Sequence, residues 1–144
     1  MKAFICTVIL LALLLSACSV TKQTPTVFEA HYTHGIYQLT FKPERISSGH
    51  VGNDWSFTYT YDGQTIESGH QIAYPIDLFT FLPIGVEVRE KDNIDDVGTG
   101  ILNVAICDGS SGKTQITVTE TDGKYKGNTT VWEIICTVKL ISKR

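Results

Sequence analysis

Trp55-Ser56-Phe57-Thr58-Tyr59-Thr60-Tyr61-Asp62-Gly63 decides the fold. Four aromatic residues take alternate positions and hydroxyl residues fill the gaps, which is the period of two of a strand with one buried face. Asp62-Gly63 follows at once, a pair that tolerates the positive φ angles of a two-residue type I′ hairpin turn. Gln64 to Ile66 then begins the returning strand. An aromatic stripe is also the material of a carbohydrate platform, but a buried sheet face is the commoner use, so the stripe is assigned to the core.

The same period recurs on both sides of this hairpin. Tyr37, Leu39 and Phe41 alternate with Ile36, Gln38 and Thr40 and are expected to face the core, with Pro43 stopping the strand. Ile46 to Asn53 is rich in Ser and Gly and reads as a loop. Tyr74-Pro75 is expected to open a short edge strand, Ile76 to Leu82, closed by Pro83. Ile84, Val86 and Val88 mark a half-buried strand, and Leu102, Val104 and Ile106 another. Ile116 and Val118 follow the turn at Asp108-Gly109, while Asp122-Gly123 and Gly127-Asn128 mark further turns. The last strand places Trp132, Ile134, Cys136, Val138 and Leu140 on one face, which puts Cys136 in the core. No stretch after the leader has a helical period. Several short strands with regular turns predict an all-β fold, an antiparallel β-sandwich such as the Ig-like ones.

The start of the chain is of another kind. Lys2 precedes an uncharged apolar run from Ala3 to Leu15, too short to span a bilayer, and polar residues follow Cys18. Leu15-Ser16-Ala17-Cys18 resembles the lipobox of bacterial lipoproteins. That resemblance implies cleavage before Cys18, a diacylglyceryl thioether and an amide-linked acyl chain on Cys18, and a lasting membrane anchor, since two or more chains hold firmly. Ser19 stands where an Asp would signal inner-membrane retention, which implies the outer membrane, facing the periplasm. The expected organisation is a signal peptide over 1–17, a lipidated N-terminus and tether over 18–30, and one sandwich domain over 31–144.

The 144 residues hold 12 Lys and Arg against 15 Asp and Glu, a net charge of -3 that becomes -4 once Lys2 leaves with the leader. Neither value nor any basic run supports a nucleic-acid partner. Cys6 leaves with the leader and Cys18 takes the lipid. Cys107 and Cys136 are then the only thiols in an oxidising compartment and are expected to pair.

Chemistry concentrates in Glu90-Lys91-Asp92-Asn93-Ile94-Asp95-Asp96-Val97-Gly98. Four carboxylates this close repel one another, and a hard divalent cation relieves that repulsion. The stretch resembles the third calcium-binding loop of C2 domains, with Glu90 and Asp92 as the acidic pair and Asp96-Val97-Gly98 as the closing element. Gly52-Asn53-Asp54-Trp55 resembles the family's Ser-Asp-Pro-Tyr-like segment, and Pro75, Phe79 and Phe81 resemble its Asn-Pro-x-Phe edge. The resemblance implies calcium ligands at Asp54, Glu90, Asp92 and Asp96, with Asp95 beside them. With so few carboxylates, affinity is expected at about 10⁻⁴ to 10⁻³ M.

Other constellations are thinner. His31-x-x-His34 has two metal-ligand side chains where a structural site needs four. No nucleophile elbow, metalloprotease helix or phosphate loop occurs. The expected function is therefore a non-enzymatic, lipid-anchored binding module for an envelope protein, with no obligate cofactor. One alternative adds calcium at the acidic loop; another is a small envelope hydrolase working through a carboxylate pair such as Glu90 and Asp96.

Overall fold

In the hairpin, Asp62 and Gly63 adopt φ angles of 49° and 72°, so the Asp-Gly pair turns the chain as its composition requires. It joins β2 (Trp55–Tyr61) to β3 (Gln64–Ile66), with Tyr59 opposite Ile66. The structure is a computed structural model describing residues 33–76, 78–92 and 94–144. The leader, Cys18, the tether and His31 lie outside the described residues.

The remaining strands are β1 (His34–Ser47), β4 (His70–Pro75), β5 (Phe81–Glu90), β6 (Asp96–Ala105), β7 (Ser111–Thr119) and β8 (Thr129–Lys143). They form two four-stranded antiparallel sheets, ordered β4-β1-β8-β7 and β3-β2-β5-β6, and the described residues contain no helix. The sheets stack as a β-sandwich. Phe41 of β1 stacks on Tyr59 of β2 with ring centroids 4.0 Å apart, while Trp132 of β8 meets Phe57 and Trp55 of β2 at 4.8 and 5.3 Å. The aromatic stripe is therefore core, as its alternation implied. Between the sheets lie Leu39, Ile84, Val86, Val88, Leu102, Val104, Ile116, Val118, Ile134, Cys136 and Val138, all buried. Each buried aliphatic side chain stabilises the fold by about 1.5–3 kcal/mol relative to exposure.

Two expectations need correction. Pro43 does not stop its strand; it pairs with Ile134 inside β1. Pro83 likewise lies inside β5, opposite Asn103, and the edge strand is 70–75 rather than 76–82. The physical reason is shared. β4 accompanies β1 only from His34 to Leu39, and β2 accompanies β5 only from Gly85 to Glu90. Both prolines stand where their strand has a partner on one side alone, so the missing N–H breaks no ladder.

The strand directions give the sandwich two ends. At the root, β1 begins, β8 finishes and the 76–80 connection leads into β5. At the crown, the loops 48–54, 91–95 and 120–128 come together.

Candidate functional site

Alternation along the strands carries polar residues inward at the crown. In β5 the inward set Leu82, Ile84, Val86, Val88 continues to Glu90; in β6 the set Val104, Leu102, Gly100, Gly98 ends on Asp96. Glu90 and Asp96 are directly opposed across the β5–β6 ladder and are 2% and 1% exposed. Extending Ile116 and Val118 of β7 by the same step reaches Glu120. Arg45 stands in register with Trp132, its guanidinium 4.8 Å from that indole and 5.4 Å from Trp55. A polar layer thus caps the apolar core.

The carboxylates of this layer are held differently. Asp96 accepts from the Thr121 backbone N–H at 3.0 Å and from the Thr121 hydroxyl at 2.6 Å through Oδ1, while its buried Oδ2 has no partner. Glu90 Oε2 is also buried without a partner. Gly52 lies directly on this carboxyl, so that a Cβ there would coincide with Oε1. Burial first, then the charges of Asp92, Glu120 and Asp96, push the Glu90 carboxyl above its ordinary value, against the backbone hydrogen bond from Asp54. Glu120 is raised as well, by burial and then by Asp96 and Asp92. The crown holds an excess of negative charge that the fold leaves partly uncompensated.

Above this layer opens a cleft of about 580 Å³, walled by Ser48, His50 to Asn53, Asp92, Glu120 and Asp122 to Tyr125. His50 enters it with φ of 62°, a left-handed conformation that costs of order 1–3 kcal/mol outside glycine and collects at functional sites. Its ring lies 6.0 Å from Tyr125, nearly parallel. Asp92, Glu120 and Asp122 line the cleft against one cation, Lys124. The arrangement suits a cationic group flanked by an apolar surface.

The five acids read from the sequence separate. Glu90 and Asp96 come together below the cleft, and Asp92 lines it while capping the Ile94 N–H at 2.8 Å. Asp95 is drawn away into an ion pair with Arg89 at 3.0 Å, and Asp54 is exposed, its carbonyl accepting from Lys91 N–H at 2.7 Å. Among the described residues no three His, Cys, Asp or Glu side chains converge to hold a metal ion. The opposed Glu90 and Asp96 are both closed from solvent, so a substrate would reach them only if Gly52 and its loop lifted. Cys107 is exposed and Cys136 buried, both as thiols, with burial pushing Cys136 up to about 12.

Sequence reading missed Glu120, Thr121, His50 and Tyr125. Glu120 was legible, two positions past Val118 on the inward face. Thr121 was not, because its bond to Asp96 joins residues 25 apart through the packing of two loops. No family model, curated protein or solved structure matches the chain.

Proposed function

We propose that this protein is a lipid-anchored envelope lipoprotein whose C2-like β-sandwich is a non-enzymatic binding module, taking a cationic segment of a partner protein in the crown cleft. The observation that carries the reading is the cleft itself: three loops from different strand pairs converge on it, it is lined by Asp92, Glu120 and Asp122, and a strained His50 faces Tyr125 within it. A C2-like assignment is supported by the two four-stranded sheets and by the acidic loop standing beside the 48–54 loop at one end. The lipobox supports anchorage at Cys18 and residence at the outer membrane, facing the periplasm. Crosslinked envelopes from cells carrying tagged full chain should yield a specific protein that is lost with Tyr125→Ala or Asp122→Asn. Recovery of the same proteins with these variants as with wild type sinks the reading.

The pairing of Cys107 with Cys136 belongs to the same proposal and rests on compartment. It requires Cys107 to turn inward from the surface, and it would stabilise the fold by about 3–4 kcal/mol on the chain-entropy model. A mass of the unreduced protein carrying two free thiols excludes it.

A second reading has calcium at the crown, favoured by the unpartnered Oε2 of Glu90 and Oδ2 of Asp96. Unfolding in EDTA and then in about 1 mM calcium tests it. A site of about 0.1 mM affinity adds roughly 1.4 kcal/mol, and Asp92→Asn should abolish the gain. An unmoved midpoint removes the metal from the account.

A further inference from the structure

The root of the sandwich carries an apolar patch that the crown cleft does not explain. Leu78, Phe79 and Phe81 are all exposed, Phe79 at 71% and Phe81 at 57%. The two phenyl rings pack edge to face with centroids 5.3 Å apart, so they form one surface rather than scattered points. The crown also exposes apolar side chains, among them Ile94 and Tyr125, but these stand among carboxylates.

The patch lies where the chain joins the sandwich. Ile76 N–H donates to the Thr33 carbonyl at 2.9 Å, and His34 and Arg144 exchange two backbone hydrogen bonds at 2.7 and 3.0 Å. Leu78 is two residues past Ile76. Between Cys18 and Thr33 lie the fourteen residues 19–32, which at full extension reach at most about 50 Å. With Cys18 acylated, the patch cannot leave the neighbourhood of the bilayer. Exposed Lys143 and Arg144 lie at this end, favouring an anionic headgroup layer, whereas the carboxylates of the crown would be repelled by it.

We propose that the root of the sandwich rests on the lipid surface, with Leu78, Phe79 and Phe81 set into the headgroup and upper acyl region and the crown cleft turned away. The contact depends on the anchor reading for its strength, and it goes beyond that reading by fixing which end of the domain meets lipid. Association of this kind scales with the apolar area buried and with attraction to anionic lipid. The lipid layer thereby orients the module as well as holding it.

The test uses full-length chain carrying Phe79→Trp in vesicles of phosphatidylethanolamine and phosphatidylglycerol with bromine-labelled acyl chains. Acylation at Cys18 is read separately by labelled palmitate and lost in Cys18→Ala. The native indoles, Trp55 and Trp132, lie in the crown half and serve as the internal control. The proposal expects the emission added by Phe79→Trp to fall roughly two-fold or more, with the native emission unchanged and the unfolding midpoint as in wild type. An acylated chain without that quenching overturns the proposal and leaves the anchor standing. Quenching at position 79 in a chain not acylated at Cys18 breaks the anchor reading and sustains this one. Quenching of the native indoles instead, or an unquenched position 79 with a dimer in detergent, overturns it, since the patch would then face away from lipid or be covered by a second copy.

Discussion

The two ends of the sandwich share one frame and finish it oppositely. At the crown, inward alternation runs on past the aliphatic residues into Glu90, Asp96 and Glu120, so charge is carried inside the rim. At the root, outward positions carry Phe79 and Phe81, so apolar surface is left outside. Each end breaks the usual partition of side chains, in opposite senses. The inward-facing aliphatic layers between them keep to it, whereas Ile101, on the outer face of β6, is 63% exposed. What differs is which residue type stands at the last positions of each end.

The largest test of this contrast is Trp132→Ala. Trp132 supports Trp55, Phe57 and Arg45 beneath the crown. Its loss should lower stability by about 3–5 kcal/mol, read by urea unfolding, and should weaken cleft binding while leaving lipid contact at the root intact. Equal loss at both functions would mean that the ends are not separable.

Gly→Ala at each end sharpens the comparison. Gly52→Ala drives a methyl group into the Glu90 carboxyl and should destabilise by about 1–3 kcal/mol, the scale of overpacking. Gly63→Ala, in open space at φ of 72°, should cost only about 1 kcal/mol, from backbone strain alone.

Glu90→Gln tests the crown charge directly. The folded carboxyl titrates above its unfolded value, so the folded state holds the proton more tightly than the unfolded state does. Stability from this group is therefore lost as pH rises from the unfolded value, about 4.3, through the raised folded value, and is regained on acidification. The variant should be the more stable at pH 7.5, by about 1–2 kcal/mol, with the difference closing toward pH 4.5. A difference independent of pH would place the effect in packing rather than charge. The smallest effect is expected at the root: Phe79→Ser should shift stability by less than about 0.5 kcal/mol, since the ring is mostly in solvent.

Much of the frame was legible in the sequence. Asp62-Gly63 turned as its residue types require, and Tyr37, Leu39, Phe41, Trp132, Ile134, Cys136 and Val138 faced inward as their spacing implied. The prolines misled because a missing N–H says nothing about whether a neighbouring strand extends that far. The acidic loop misled differently. Glu90 and Asp96 were grouped with Asp92 and Asp95 as one charged surface, yet the inward alternation of Ile84-Val86-Val88 already assigned Glu90 to the interior. Asp95 was lost to Arg89, a partner two positions before the loop on the outer face. The contact of Asp96 with Thr121 depends on loop packing that no local pattern encodes.

Pro43 and Pro83 have a further consequence. Each lies on the stretch where its sheet offers an unpaired edge, the site at which another chain could add a strand. A residue without an N–H interrupts such templating. At both open edges, then, these two residues act as guards against fibrous self-association.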